Sequence, residues 1–248
     1  MKLSFSLIIV ILTILHFKNA NSENSLNLYL RKLILNFKLL IPNGDPDLDI
    51  PSMDPLRINN LEVKVNKPLV WLNLGLHRLS LNGLSNFRTA ALDADINTLK
   101  IKVRLIFPEL KISGKYVLDG LGMKFIPIYG KGNTTITVRN FEINTLIALS
   151  IDIETGALKL SQFEIKINYL KGRVYFENIL GGGVLSRIVN SATNSILRPL
   201  FETKKIDFEN RIRIIILRKL QNELKKVTVV DVTTKTSYIW LIILLILK

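Results

Sequence analysis

The chain has 248 residues, 48% of them apolar, with a formal net charge of +14 and no cysteine. That length is enough for a sizeable core in one large domain or two small ones, and the missing thiols exclude disulfides, so stability must come from burial and hydrogen bonding. In an extracellular setting a charge of this sign draws a protein to anionic surfaces such as acidic headgroups or glycans.

The first 22 residues read as a secretory signal peptide. Lys2 supplies the positive start, Leu7 to Leu15 the apolar core, and Ala20 with Ser22 the small-residue exit. Cleavage after Ser22 leaves about 226 residues of the 248 and, without Lys2 and Lys18, a charge of about +12. From Ser25 as a cap, Leu26, Leu30, Leu33, Phe37 and Leu40 recur at helical spacing to about Ile41, where Pro42 and the loop NGDPDLDIPSMDP end the helix.

Strand patterns follow at Leu61 to Val65, Leu69 to Leu84, Thr98 to Phe107, Ile112 to Leu118, Thr134 to Ile153 and Leu160 to Phe176. In TLKIKVRLIF the alternation is strict: Leu99, Ile101, Val103, Leu105 and Phe107 share one face, and Lys100, Lys102 and Arg104 the other. Turns are expected at Asn82-Gly83, Asp119-Gly120, Gly130 to Asn133 and Thr155-Gly156. Beyond Gly181-Gly182-Gly183 the period changes to that of two helices, Val184 to Leu200, interrupted by Pro199, and Phe208 to Leu224. Their apolar stripes include Leu185, Ile188, Leu197, Ile212, Ile215 and Leu220. A β-rich piece from Val227 to Val232 precedes an apolar tail.

Helix, long antiparallel strands, then helices indicates an α+β fold with helices on one side of a curled sheet. Strands with one apolar face must bury it against themselves or a helix, and a curled antiparallel sheet wrapped around a long helix does so. Where the helix does not fill the roll, a tube-shaped apolar cavity remains for a small ligand.

Four stretches carry a family resemblance: Leu26 to Val63 with its DPL, GLSNF at Gly83 to Phe87, GKYVLDGLGMKFIPIYGKGNTTITVRNFEI at Gly114 to Ile143, and LKGRVYFENILGG at Leu170 to Gly182. In this order they resemble the insect takeout and haemolymph juvenile hormone binding protein family, over roughly Asn24 to Val230. The resemblance implies a tubular lipid-binding fold and a secreted carrier of terpenoid hormones or other fatty ligands, with several members linked to circadian output, feeding and chemosensation. The expected division is residues 1–22 as signal peptide, 23–232 as the carrier domain that the resemblance implies and 233–248 as an apolar C-terminal tail. Two departures stand out. The family's N-terminal cysteine pair is absent, with Tyr29 near the expected position, and TTKTSYIWLIILLILK extends past the family's usual end.

Chemistry-bearing residues are sparse. His77 is the one histidine beyond the signal peptide, no G-x-S-x-G elbow occurs, and a structural histidine in a strand is the expected role. Asp45, Asp47 and Asp49 resemble the start of a calcium loop, but Ile50 stands where such a loop needs glycine, so an acidic turn and no metal are expected. GKGNTT lacks the ending of a phosphate loop and reads as a hairpin tip, with Asn133-Thr134-Thr135 a glycosylation sequon. Basic residues line one strand face and enrich the last helix (Arg211, Arg213, Arg218, Lys219), as solvated surfaces do, and no nucleic-acid motif accompanies them.

The expected ligand wall comprises Leu99, Ile101, Val103, Leu105, Ile112, Tyr116, Leu118, Ile136 and Val138, with Trp71 and Phe141 as large fillers and the Tyr116 hydroxyl as a polar contact. Ordinary core packing is the competing role for each. The expectation is an extracellular, monomeric, cofactor-free carrier and not an enzyme. The alternative is a peripheral membrane or interaction protein docking on anionic lipid through its basic faces and the tail, whose apolar run from Tyr238 to Leu247 is half a spanning length.

Overall fold

The computed structural model describes residues 23–45, 51–95, 97–151 and 158–224. In chain order these form helix α1 (Glu23–Asn43), strands β1 (Leu56–Lys67), β2 (Val70–Asn82), β3 (Arg88–Asp95), β4 (Lys100–Gly122), β5 (Ile126–Pro127), β6 (Gly130–Ile151), β7 (Leu158–Asn168) and β8 (Lys171–Phe176), and helix α2 (Gly183–Leu224). The signal segment, Asp47, Asp49, Thr155-Gly156 and the apolar tail lie outside the described residues. The fold is the expected α+β curled sheet, its eight strands joined in one antiparallel sheet.

Strands β4 and β6 pair without a register break from Lys100↔Ala148 to Leu118↔Gly130 and run through both halves of the sheet. Beside the first half of β4 lie β3 on one edge and, across β6, β7; beside its second half lie β2 and β1 and, across β6, β8. The two expected segments Thr98 to Phe107 and Ile112 to Leu118 are therefore one strand. The wall-facing apolar residues occupy odd positions up to Phe107 and even positions from Leu110 onward, with Ile106, Val117 and Leu121 on the other face, in phase with the same change in β6 between Phe141 and Val138. Pro108, which has no N–H for the ladder, stands opposite Asn140, whose φ of 48° is left-handed, and the crease between them returns Leu110 to the cluster that holds Phe107.

Helix α1 buries Leu30 and Ile41, with Ile34 and Phe37 half-buried between them, and packs Ile34, Phe37 and Ile41 on Phe87 and Phe107. The helix begins at Glu23, so the expected cap, Ser25, falls inside it.

Helix α2 departs further from expectation: Pro199 does not divide it, and 42 residues form one helix. A proline inside a helix costs about 3 kcal/mol, but contacts with the sheet hold this one on both sides. Asn190, Asn194 and Arg198 bond the β7–β8 region before and at the proline, and Glu209 bonds the Ile167 N–H of β7 after it. Along β8 the face turned to the sheet is polar where an apolar stripe was expected; further on, Leu197 and Ile212 of that stripe are half-buried and Phe201 packs edge-on against Tyr169, while the side chains of Ile215 and Leu220 lie outside the described residues. Ser186 and Asn190 are buried, whereas Leu185 and Ile188 are more than half exposed.

Two turns also differ. Asp119-Gly120 lies inside β4, where glycine is needed because a Cβ would stand 2.3 Å from the Trp71 carbonyl oxygen. Gly130 to Asn133 lies inside β6, and the reversal occurs at Met123-Lys124, both at positive φ (51° and 70°), a conformation that neither residue advertises.

Candidate apolar ligand wall

Cross-strand register assembles the apolar positions into rows. In the first half of the sheet these are Ala94–Ile101–Ile147–Phe163, Leu92–Val103–Thr145–Ile165 and Leu105–Ile143–Ile167. In the second half they are Leu74–Leu118–Gly130, Leu76–Tyr116–Gly132, Leu81–Ile112–Ile136–Val174 and Leu110–Val138–Gly172. No side chain in these rows is ionisable below the tyrosine range. A bulge between His77 and Ser80, with Arg78 at φ 50°, keeps Leu76 and Leu79 on this same face.

Helix α1 covers the wall near β3, and α2 packs along β7 and β8. On β1 the rows continue as Leu61 and Val63, opposite Leu76 and Leu74, and there the side chains are 46% and 41% exposed. The wall is thus sealed at its helix-packed margins and open along β1. An apolar concavity of this kind can hold an aliphatic or isoprenoid molecule by burial alone.

The expected wall residues fall into three groups. Leu99, Ile101 and Tyr116 are buried; Val103, Leu105, Ile112, Leu118, Ile136, Val138 and Phe141 are half-buried on the rows or in their clusters; Trp71 is 44% exposed on the opposite face, paired with Leu121. Leu105 and Phe141 pack with Phe107 under α1. The hydroxyl of Tyr116 donates to the Glu177 carbonyl at 2.7 Å and its ring lies 4.8 Å from that of Phe176, so its polar atom already has a protein partner. Burial, then the Glu177 charge, pushes this phenol above its ordinary pKa.

His77 shares a 2.8 Å hydrogen bond between Nδ1 and the Asn60 side chain across β1 and β2. On the basic face of β4, Lys102 pairs with Asp93 at 3.7 Å and Arg104 with Glu142 at 2.8 Å. The Arg104 hydrogen bond, then that of Asn144, holds the Glu142 carboxyl below the usual range. The sequon residue Asn133 is exposed, but its side-chain amide donates to Glu177 Oε2 at 2.7 Å.

Sequence reasoning missed the residues that close the wall at its β8 margin. Asn190 accepts from the Phe176 N–H and donates to the Phe176 carbonyl, and Asn194 treats Val174 in the same way, all at 2.8–3.0 Å. One turn further, the Arg198 guanidinium donates to the Tyr169 carbonyl and lies 5.1 Å from the Tyr169 ring centre. On α1, Asn27 Oδ1 accepts from the Ala94 N–H of β3 at 3.0 Å. The signal in the sequence is the spacing of four between Asn190, Asn194 and Arg198, a polar repeat on one helix face.

A sequence profile of the haemolymph juvenile hormone binding protein (JHBP) family matches residues 8–234. The chain belongs to this family. Among solved structures, this JHBP family member is similar to Epiphyas postvittana Takeout 1, with a TM-score of 0.51 and 18% identity over 79% of this chain and 92% of that one. At such identity the likeness establishes a shared fold. It also aligns with lipopolysaccharide binding protein at a TM-score of 0.31 and 15% identity, over 83% of this chain and 37% of that one. No curated protein matches the sequence.

Within the family member, the stretches that carry the resemblance meet in space. Asp54 of DPL accepts hydrogen bonds from Gly83 N–H (2.9 Å), Ser85 N–H (2.8 Å) and the Ser85 hydroxyl of GLSNF. Tyr116 of YVLDG meets Phe176 and Glu177 of YFEN, and a Cβ on Gly130 of IPIYGKG would lie 2.5 Å from the Tyr116 hydroxyl oxygen. In this chain these residues are joints of the scaffold.

Proposed function

We propose that this protein is a secreted, non-enzymatic carrier of a hydrophobic small molecule, a terpenoid, fatty acid or other lipid, held against the apolar wall. The observation that carries this reading is the run of uncharged rows across β1, β2, β4, β6 and β8, left open along β1. Membership of a family described as juvenile hormone binding supports it. Val103, Ile112, Leu118, Ile136 and Val138 are the proposed contacts, being half-buried and on the rows, with Leu99, Ile101 and Tyr116 as the backing layer.

A ligand that buries ~350 Å² of apolar surface gains roughly 9 kcal/mol at ~25 cal/mol per Å². Association and ordering remove part of this, which places affinity in the micromolar to nanomolar range. Docking of the basic β4 face on membranes has weaker support, since two of its three cations are already ion-paired.

The test is titration of delipidated protein with a fluorescent fatty acid, with displacement by a sesquiterpenoid and by unlabelled fatty acid. Saturable binding at one site is expected. A delipidated, folded sample that takes up none of them overturns the carrier reading.

A further inference from the structure

On the outward face of β4, β6 and β8, opposite the apolar wall, register places Lys111, Thr137 and Arg173 in one row and Glu109, Arg139 and Lys171 in the next. Thr137 therefore stands one strand spacing, about 4.8 Å, from a lysine-bearing strand on one side and an arginine-bearing strand on the other. Glu109 neutralises Arg139 through a 2.8 Å pair. Among the described residues, Lys111, Arg173 and Lys171 have no carboxylate partner. Arg139 and Lys171 face each other directly, with Glu109 on the far side of Arg139, so the row carries one cation more than it has carboxylates.

The surface is concave here. Thr137, Arg139, Lys171 and Arg173 line a cleft of about 70 Å³. Lys171 and Arg173 also line an adjoining cleft of about 470 Å³ between β8 and α2, where Ser191 and Ser195 add hydroxyls. Planar guanidinium forks and lysine ammonium groups around a hydroxyl are the donor set that phosphate oxygens accept from.

We propose that this outer face is a binding site for a phosphate group, seated over Thr137 and held by Arg173 and Lys171, with Lys111 on the neighbouring strand adding positive charge and the larger cleft admitting the polar remainder of the molecule that bears it. The site does not rest on the carrier reading, because its phosphate seat over Thr137 lies on the face of these strands opposite the apolar wall. The phosphate can be free in solution or belong to an anionic lipid headgroup.

The experiment measures inorganic phosphate binding to the full chain by calorimetry in a low-salt, phosphate-free buffer, and in parallel flotation with phosphatidylcholine vesicles with and without phosphatidic acid. K171Q/R173Q is compared with K64Q/K67Q, which removes equal charge on β1. Saturable phosphate binding, or flotation that requires phosphatidic acid, is expected for the wild type and K64Q/K67Q and at least tenfold weaker for K171Q/R173Q. The first outcome identifies free phosphate as ligand, the second a headgroup. Thr137→Val keeps every charge and is expected to weaken the same signal severalfold, which provides a readout if the double variant fails to fold. Absence of both signals in the wild type, or equal losses in the two double variants, overturns the site.

Discussion

The hydroxyl of Tyr116 donates a 2.7 Å hydrogen bond to the backbone oxygen of Glu177, joining β4 to the loop that leads into α2. Tyr116→Phe is expected to leave that carbonyl unpaired and cost about 1–2 kcal/mol, or a few degrees in Tm at about 2–4 °C per kcal/mol. Denaturant unfolding measures the loss. Fatty-acid affinity should stay within about twofold; a large fall in affinity would show that the hydroxyl serves the ligand instead.

Alkaline pH should expose the same bond. Burial raises the phenols of Tyr116 and Tyr169 above their ordinary value. A raised folded-state pKa contributes stability that is complete below the unfolded value of about 10 and is lost as pH rises through the folded value. Wild-type stability should therefore fall above about pH 10, and Tyr116→Phe should have the shallower alkaline limb despite its lower plateau.

Asp54 is the acid-side counterpart. Burial pushes its carboxyl up, but the hydrogen bonds from the Ser85 side chain, the Ser85 backbone and the Gly83 backbone together outweigh it and leave the pKa lowered. A depressed folded-state pKa gives stability that is present above the unfolded value of about 3.9 and disappears as pH falls through the folded one. Asp54→Asn is expected to cost about 1–3 kcal/mol at neutral pH and to flatten the acid limb in thermal melts recorded from pH 7 to 2. An acid limb identical to that of the wild type would assign the transition to other carboxylates.

Gly130→Ala would drive a methyl to 2.5 Å from the Tyr116 hydroxyl oxygen and 3.0 Å from the Ile179 Cα, so β6 or the Ile179 turn must shift. The expected cost is about 1–3 kcal/mol. Combining it with Tyr116→Phe should relieve part of the clash, giving a sub-additive double-mutant cycle.

The amide ladder of α2 has its own signature. Asn190→Asp keeps the acceptor for the Phe176 N–H and removes the donors to the Phe176 carbonyl and the helix, so stability should fall by about 1–3 kcal/mol. Amide exchange should accelerate more at Val174 in Asn194→Ala, which removes both functions, than at Phe176 in Asn190→Asp. Equal protection in both variants would mean that packing alone holds the helix.

How much of this was readable beforehand depends on whether the determinant was local. Alternation from Leu99 to Phe107 identified the strand and its buried face because burial imposes a period of two. The phase change at Pro108 was not readable, since it depends on Asn140 of another strand adopting a left-handed conformation opposite the proline. Strand β3 was missed because RTAALDAD offers little β propensity and is placed by pairing with β4 and by Asn27. The size of Trp71 suggests a wall filler, but Leu72 and Leu74 hold the inward positions of β2 and leave it outside. Pro199 suggested two helices because propensity cannot register that β7 and β8 hold the chain on either side.

Asn190 and Asn194 offer β8 what a neighbouring strand would offer, one donor and one acceptor at every second residue. A sheet edge supplied in this way is not free to recruit a strand from another molecule, so α2 acts as a guard against polymerisation. If the helix peels away, the cost extends beyond lost contacts: a margin of unpaired backbone groups becomes available to every other copy, and the first sign should be turbidity instead of a clean unfolding transition.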